Sequence, residues 1–453
     1  MTSLAWCIAG GLTVAAAFLD FRLWPIGWLA FAAILRGLLG ARSFREAAWL
    51  GLATGLAINI PAFHWLVGTI HRFGGFPFWL SAAFYGGLSA LSSLQLVLFA
   101  LAVHRTGPGF AAVVPALVWT TLEFSFPNLF PWRMANSQLE VPALMQIGEL
   151  TGPFGLSFVM VWFSGAVASA LRGGLRPAGP ALAASVVAAA GVWLFGVVRL
   201  PQIERAIAEA PTVRVGIVQG NLTIEEKNDV AYFDSNVETY RRLSEEIADE
   251  ADVIIWPESV IGDALPRELR RLGPKGIEIL GLRKPLLAGA MTYDRQDGRV
   301  RLFNTVVLFA PDGSLLGMSD KQILMPFGET MPFGTIFPWL YDLSPQTGNF
   351  EAGTGVVPLD VPGVGRFAPL NCYEDLKAAI ARDATVRAGG EILFAVANDA
   401  WFGDTMAPYQ HEALGAWRTV ENRRALVRAT NTGVTDVIDP AGRVVTRFPV
   451  FQP

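Results

Sequence analysis

Three residues whose types together suit acyl transfer follow predicted strands in the second half of the chain. Glu258 follows the apolar run 252–256, Lys321 follows 315–318, and Cys372 follows 366–370. A cysteine thiolate is a strong nucleophile, and it needs a base to form and a cation to stabilise it. A carboxylate can accept the thiol proton, and an ammonium can stabilise the oxyanion that forms after attack on a carbonyl. The three residue types therefore favour metal-free acyl transfer.

The spacing of these residues leaves structural alternatives open, because they are separated by 63 and 51 positions. A cysteine in an apolar strand environment is more often an inert core residue. A glutamate after a strand is usually a cap or a surface charge, and a lysine is usually solvated. The chain contains only five lysines, however, against many arginines. A lysine in such a sequence suits a site that needs a compact point charge.

The composition excludes several function classes. The 453 residues are 52% hydrophobic and 16% charged, with a net charge of −4 and no basic tract. Such a chain is poorly suited to binding nucleic acid. Two cysteines and four histidines argue against a disulfide scaffold and against a multi-histidine or thiolate metal site. We therefore expect no metal and no cofactor.

The charges are divided unevenly between the two parts of the chain. Residues 1–200 carry 10 Lys/Arg and 5 Asp/Glu, whereas 201–453 carry 25 and 34. This division predicts a membrane domain over 1–200 and a water-soluble domain over 212–450. Since a span needs about 20 apolar residues, we predict seven spans. They cover 4–19, 24–40, 47–67, 77–103, 109–126, 153–171 and 181–198.

The arginines between these spans predict their orientation. With a cytoplasmic N-terminus, six arginines lie in inner loops and three in outer loops, as the positive-inside rule favours. Seven spans then place everything after Arg199 outside the cytoplasm. Met1-Thr2-Ser3 lacks a positive segment, so the first span is predicted to be an uncleaved anchor.

Beyond residue 211, apolar β-branched runs alternate with amphipathic stretches. This alternation predicts an α/β domain. The predicted helices include 232–250, 375–389 and 409–428. A hairpin is predicted around the Pro440-Ala441-Gly442 turn.

Six segments resemble the carbon–nitrogen hydrolase (nitrilase) superfamily, and most closely its integral membrane branch, the apolipoprotein N-acyltransferases. They occur in family order at 218–221, 256–259, 320–329, 371–374, 398–403 and 421–433. The resemblance implies a four-layer α-β-β-α sandwich behind a multi-span helical domain. It implies that Cys372 is the nucleophile, Glu258 the base and Lys321 the stabiliser of the thiolate and the oxyanion.

The same resemblance implies supporting roles for four further residues. Glu329 would support the lysine, and Tyr373 and Glu374 would shape the site beside the cysteine. Trp401 would lie on a mobile loop near the entrance. We also expect part of the apolar, Pro/Gly-broken stretch 324–343 to dip into the membrane as an arm.

The implied reaction is ping-pong acyl transfer by a protein expected to be a monomer. Cys372 would take an acyl chain from a phospholipid as a thioester and pass it to the α-amino group of a diacylglyceryl-cysteine apolipoprotein. Two alternatives stay open: a membrane-tethered amidase or nitrilase-type hydrolase, and a non-catalytic lipoprotein-binding homologue.

The sequence departs from the family pattern at two places. Family chains continue into a last membrane helix, whereas this one stops at Pro453. Two interpretations stay open, a truncated sequence and a shortened homologue, and a lost span would leave the catalytic domain tethered at one end only. Asn228 stands after Lys227 where a tryptophan is usual, and we expect an altered contact with a substrate there.

Overall fold

A computed structural model describes residues 2–107, 113–223, 226–227, 229–344 and 347–452, without the side chains of 73, 230 and 343. The chain forms two compact units. One consists of Met1–Ala208 with Tyr409–Glu421, and the other of Glu209–Pro408 with Asn422–Pro453. The predicted domain boundaries, 1–200 and 212–450, stay a prediction.

In the part of the chain that the structure describes, the regular elements before residue 210 are helices. After it, strands alternate with helices, as the sequence pattern predicts. The helices are α1 Ser3–Leu19, α2 Trp24–Leu38, α3 Phe44–Ala62, α4 Leu66–Gly74, α5 Phe78–Thr106, α6 Val113–Ser125, α7 Pro142–Met145, α8 Gly148–Thr151, α9 Pro153–Gly173, α10 Leu175–Glu209, α11 Phe233–Ile247, α12 Pro274–Leu280, α13 Leu340–Leu343, α14 Ala378–Arg382 and α15 Ala407–Asn422. The strands are β1 Val215–Ile217, β2 Val253–Pro266, β3 Leu286–Gln296, β4 Arg299–Phe309, β5 Leu315–Asp320, β6 Leu359–Val361, β7 Gly365–Asn371, β8 Ile392–Ala397, β9 Leu426–Thr430, β10 Asp436–Ile438 and β11 Val444–Arg447.

The helical unit contains several helices that are apolar enough for a membrane. In the described part of the chain, four segments have sufficient length: Phe21–Leu38, Phe78–Thr106, Pro153–Gly173 and Leu175–Glu209. The bent pair of α3 and α4 makes a fifth if it is one span. The spans predicted at 4–19 and 109–126 overlap α1 and α6, which are apolar but shorter, and residues 109–112 lie outside the described part.

Part of α15 belongs to the helical unit, although it lies far along the chain. The Gln410 side chain accepts a hydrogen bond from Trp65 Nε1 (3.0 Å) and donates to the Ala62 carbonyl (3.0 Å). Asn136 Nδ2 donates to the Ala413 carbonyl at 3.1 Å. These side-chain amides are buried, so their hydrogen bonds satisfy groups that would otherwise be costly to bury.

The second unit is built from two stacked sheets, one ordered β1-β2-β3-β4-β5 and the other β11-β10-β9-β8-β7-β6. Apolar residues of both sheets form one core, for example Ile255 and Val306 with Phe367 and Phe394. The other face of the first sheet packs on α11 and α12. Helix α14 covers part of the second sheet beside β7. The predicted α-β-β-α sandwich is confirmed.

The prediction of one helix over 409–428 is wrong at its C-terminal end. Helix α15 ends at Asn422, and Arg423 adopts a left-handed φ of +50°. Leu426–Thr430 then forms β9 between β8 and β10. All five residues of this strand are buried, so pairing and burial at the centre of the sheet outweigh the local helical pattern.

A bulge in β2 carries Glu258. The register of β2 with β3 shifts between Trp256 and Ile261, and Ser259 has a left-handed φ of +51°. The backbone of β3 passes close to this bulge at Gly289, where a Cβ would lie 2.5 Å from Glu258 Cα. Only glycine fits this approach, so β3 fixes the position of the Glu258 main chain.

We predict that Gly289→Ala displaces the bulge and destabilises the protein by about 1–3 kcal/mol, the usual cost of overpacking. Thermal unfolding in detergent measures the change. Gly355→Ala is the matched control, because a Cβ there meets no atom within 4 Å. Equal unfolding temperatures for the two variants would show that the bulge tolerates the added methyl group.

Candidate active site

The structure brings the predicted lysine and both predicted carboxylates together. Lys321, which follows β5 and is 1% exposed, places Nζ 3.2 Å from Glu258 Oε1 and 2.8 Å from Glu329 Oε2. A buried ammonium is stable only when it is paired and hydrogen-bonded. The lysine is therefore held between two carboxylates that come from β2 and from the segment after β5.

Asn304 on β4 connects the same two carboxylates. Its Nδ2 donates to Glu258 Oε1 at 2.8 Å and to Glu329 Oε1 at 2.6 Å, while its Oδ1 accepts from Asn371 Nδ2 at 2.8 Å. The Asn304 main-chain carbonyl also accepts from the Lys321 backbone N–H. One side-chain amide thus links the ends of the two sheets.

Cys372 lies where β7 gives way to a 3₁₀ turn, Cys372–Leu376. Its φ of +52° is left-handed, a strained conformation for a residue with a side chain and one that clusters at functional sites. The residue is half-buried, whereas Cys7, the other cysteine, is buried in α1. The sharp turn lets a side chain leave a strand end while the strand fixes its backbone.

The charges around Cys372 determine the resting protonation states. Burial raises the pKa of its thiol well above the usual value, and the Glu258 charge adds to the rise, while Lys321 opposes it. Burial also disfavours the Glu258 carboxylate, but the charges of Lys321 and Lys227 outweigh this and lower its pKa. The resting site therefore holds a neutral thiol beside an ionised carboxylate, which is the arrangement that a general base needs.

Lys321 itself stays charged. Burial alone would lower the pKa of the Lys321 ammonium, but the charges of Glu329 and Glu258 raise it well above the ordinary value. A permanent ammonium at this position can stabilise a developing oxyanion without delivering a proton to it.

Glu374 joins the turn of Cys372 to the segment after Lys321. One carboxylate oxygen accepts from the backbone N–H groups of Gln322 (2.6 Å) and Ile323 (3.2 Å), and the other accepts from the backbone N–H of Asn371 (2.9 Å). Burial raises the pKa of Glu374, and these N–H groups oppose the rise. The contacts give Glu374 a positioning role at the site, consistent with the predicted shaping role.

The neighbouring predicted residues lie close to the cysteine in sequence. Tyr373 is buried, its hydroxyl accepts from Lys377 Nζ at 2.9 Å, and burial raises its pKa to about 12. Trp401 is half-buried in the turn Asp399–Phe402. Its predicted place at the entrance stays a prediction. Asn228, predicted to alter a contact with a substrate, lies outside the described residues.

Two site residues were not identified from the sequence. Asn304 interrupts the apolar run 302–309, and a polar side chain in a buried strand was the signal that could have identified it. Lys227 donates from Nζ to the Glu258 carbonyl at 2.5 Å. Its only sequence signal was its place among five lysines, close after the 218–221 segment.

Among the described residues, no group of three or more His, Cys, Asp or Glu side chains could hold a metal ion. The chemistry of the donor set agrees with this, because the carboxylates at the site are already paired with ammonium and amide groups.

Comparison with known proteins identifies the family. The family model "Apolipoprotein N-acyltransferase N-terminal domain" matches residues 10–166, and "Carbon-nitrogen hydrolase" matches 214–452. An apolipoprotein N-acyltransferase of Geobacter metallireducens is 32% identical, over 98% of this chain and 87% of its own length. One from Pseudomonas aeruginosa is 31% identical over the same shares.

The chain belongs to the apolipoprotein N-acyltransferase family. The predicted resemblance to this branch of the nitrilase superfamily is therefore confirmed, and so is the prediction that the protein is an acyltransferase. Among solved structures, the chain is similar to Saccharomyces cerevisiae Nit3, a member of branch 10 of the nitrilase superfamily. The TM-score is 0.40 and the identity 15%, covering 52% of this chain and 86% of that one.

We predict that Asn304→Ala shifts the acidic limb of Cys372 reactivity to higher pH. If Glu258 is the base that the sequence predicts, reactivity falls as the pH drops through its lowered pKa. Removing the Asn304 hydrogen bond raises this pKa, because that hydrogen bond stabilises the charged carboxylate. The rate of Cys372 alkylation by iodoacetamide, measured against pH, tests this.

Asn349→Ala is the matched control for that experiment, since Asn349 accepts an exposed hydrogen bond from Tyr341 at 3.3 Å and lies outside the group of Glu258, Lys321 and Glu329. An acidic limb that does not move in Asn304→Ala would contradict the role assigned to the amide.

Proposed function

We propose that the protein transfers an acyl chain from a phospholipid to the α-amino group of an N-terminal diacylglyceryl-cysteine, through a thioester on Cys372. The observation that carries this proposal is the buried group of Glu258, Lys321 and Glu329 whose charges act on the Cys372 thiol. Membership of the family supports lipoprotein N-acylation as the general activity.

In the first half-reaction, the Cys372 sulfur attacks the ester carbonyl carbon of the phospholipid as its proton passes to Glu258. The new C–S bond converts the carbonyl oxygen to an oxyanion, which the Lys321 ammonium stabilises. The C–O ester bond then breaks, and Glu258 returns the proton to the leaving alkoxide. The products are a lysophospholipid and a neutral thioester.

In the second half-reaction, the neutral α-amino group of the lipoprotein attacks the thioester carbon. Glu258 accepts a proton from the attacking nitrogen, and Lys321 again faces the oxyanion. The C–S bond breaks, the amide remains, and the proton held by Glu258 returns to the sulfur. The same carboxylate serves as base and acid in both halves, which restores the resting charges.

The stretch 324–343 supports a lipid as the acyl donor. It exposes a set of large apolar side chains by about half of their surface or more. These are Phe327 (58%), Phe333 (69%), Ile336 (67%), Phe337 (49%) and Trp339 (57%). Such a patch on one segment marks an interaction surface, and we propose that it enters the membrane as an arm.

The base of the arm is joined to the site, because Glu329 Oε2 accepts from the Met325 backbone N–H at 2.8 Å and also pairs with Lys321. Contact of the arm with lipid and the position of the lysine are thus linked through one carboxylate. We further propose an inner-membrane protein, acting as a monomer, with its catalytic domain on the periplasmic side.

We predict that phospholipid carrying a labelled acyl chain forms a hydroxylamine-sensitive adduct on the wild-type protein and on Cys7→Ala, but not on Cys372→Ala. Cys7→Ala is the matched control because it removes the other thiol. Mass spectrometry of the intact protein measures the adduct. Rapid loss of the label to water, faster than its transfer to a diacylglyceryl peptide, would favour the hydrolase alternative. Absence of any adduct would favour the binding homologue.

We also predict that Phe333→Ser slows thioester formation from phospholipid vesicles about five-fold, because about 1 kcal/mol of membrane partitioning is lost. The rate with a short-chain, water-soluble ester should not change. Val445→Ser is the matched control: Val445 is 65% exposed and lies on β11, outside the arm. Equal slowing with both donors would contradict the membrane role of the arm.

A further inference from the structure

Lys227 is held in place by hydrogen bonds of its described neighbours. The Thr223 backbone N–H and hydroxyl both donate to Glu226 Oε2, at 3.0 and 2.9 Å, and the Lys227 N–H donates to the Thr223 carbonyl at 3.0 Å. Asn236 on α11 donates to the Glu226 carbonyl at 2.9 Å. A lysine with an anchored main chain delivers its ammonium to a defined place.

That place is the bulge of β2. Lys227 Nζ donates to the Glu258 main-chain carbonyl at 2.5 Å. The register of β2 with β3 is interrupted between Trp256 and Ile261, so this carbonyl lies within the break. A buried carbonyl without a partner is costly, and the charge-assisted hydrogen bond from Lys227 satisfies it.

We propose that Lys227 is a positioning residue for acyl transfer, which fixes the Glu258 bulge and supplies the second positive charge of the site. This proposal rests on the proposed function, because the charge matters most when the thioester chemistry takes place. No role had been predicted for Lys227 from the sequence.

Counting charges shows why a second cation is needed. In the resting site, Glu258 and Glu329 are balanced by Lys321 and Lys227. When Cys372 attacks a carbonyl, Glu258 becomes neutral and one oxyanion appears, so the four groups and the oxyanion again sum to zero. Without Lys227, both states would carry an uncompensated negative charge in a buried site, which is strongly unfavourable.

The surroundings of Lys227 make its charge sensitive to pH. Burial lowers the pKa of its ammonium to about 8, although the charges of Glu258 and Cys372 oppose this change. Other charged groups lie in this neighbourhood. Lys321 and Glu329 form an ion pair, Asp399 acts on Cys372, and Glu226 directly precedes Lys227. As the pH rises through the pKa of Lys227, the site loses one positive charge.

The experiment compares Lys227→Met and Lys227→Arg with the wild type, and Lys275→Met serves as the matched control on the exposed start of α12. The first readout is the rate of Cys372 thioester formation from labelled phospholipid against pH. We expect the wild-type rate to fall above a pH of about 8. Lys227→Arg should extend the plateau to higher pH. Lys227→Met should react about ten-fold more slowly at neutral pH, without the alkaline limb.

The second readout is the pKa of the Cys372 thiol, measured from thiolate absorbance without any lipid. Lys227→Met should raise it, because a nearby positive charge is lost. If Lys227 had only a structural role, Lys227→Met would keep the alkaline limb of the wild type. It would also leave the pKa of the Cys372 thiol where it is in the wild type.

The outcomes separate the two proposals. If the wild type forms no thioester, the proposed function fails, and the thiol pKa alone then decides the role of Lys227. A second outcome is that Lys227→Met matches the wild type in its rate, its alkaline limb and its thiol pKa. That result would overturn the role of Lys227 while leaving the proposed function in place. The role of Lys227 would also be overturned if Lys227→Arg reacted as slowly as Lys227→Met and its alkaline limb stayed at the wild-type pH.

Discussion

The site depends on one buried ammonium held between two carboxylates. Lys321 contacts Glu258 and Glu329, and Asn304 bridges the same two side chains. Removing one partner of such a group leaves a buried charge uncompensated, which typically costs several kcal/mol. These residues are held by the bulge of β2, the middle of β4, the end of β5 and the base of the arm.

This arrangement favours a thiol that reacts by concerted proton transfer over a preformed thiolate. The Lys321 ammonium, which lowers the pKa of the Cys372 thiol, is already shared by two carboxylates, and the Glu258 charge disfavours a second anion on sulfur. The expected role of Lys321 as stabiliser of both the thiolate and the oxyanion stays a prediction. A neutral resting thiol is also less open to oxidation than a thiolate.

The sequence predicted the residues whose chemistry follows from residue type and position along the chain. It missed those whose role depends on how strands pair in the sheets. Glu258, Lys321 and Cys372 each follow a strand predicted from the sequence, although Glu258 lies within β2 in the structure, and the family resemblance supplied their order. Asn304 could not be assigned a role, because only the register of β4 with β5 places its amide beside Lys321. The break at Arg423 was missed because burial of β9 between two strands, which no local pattern encodes, outweighs the helical periodicity of the preceding residues.

The most direct test of the central idea is a spectroscopic pH titration of the Cys372 thiolate, taken as the difference between the wild type and Cys372→Ala and repeated in Glu258→Gln. We expect the wild-type thiol to remain protonated well above the pH at which a free cysteine ionises, and to ionise at lower pH once the Glu258 charge is removed. A thiolate already formed at neutral pH in the wild type, unaffected by Glu258→Gln, would show that the carboxylate does not control the nucleophile.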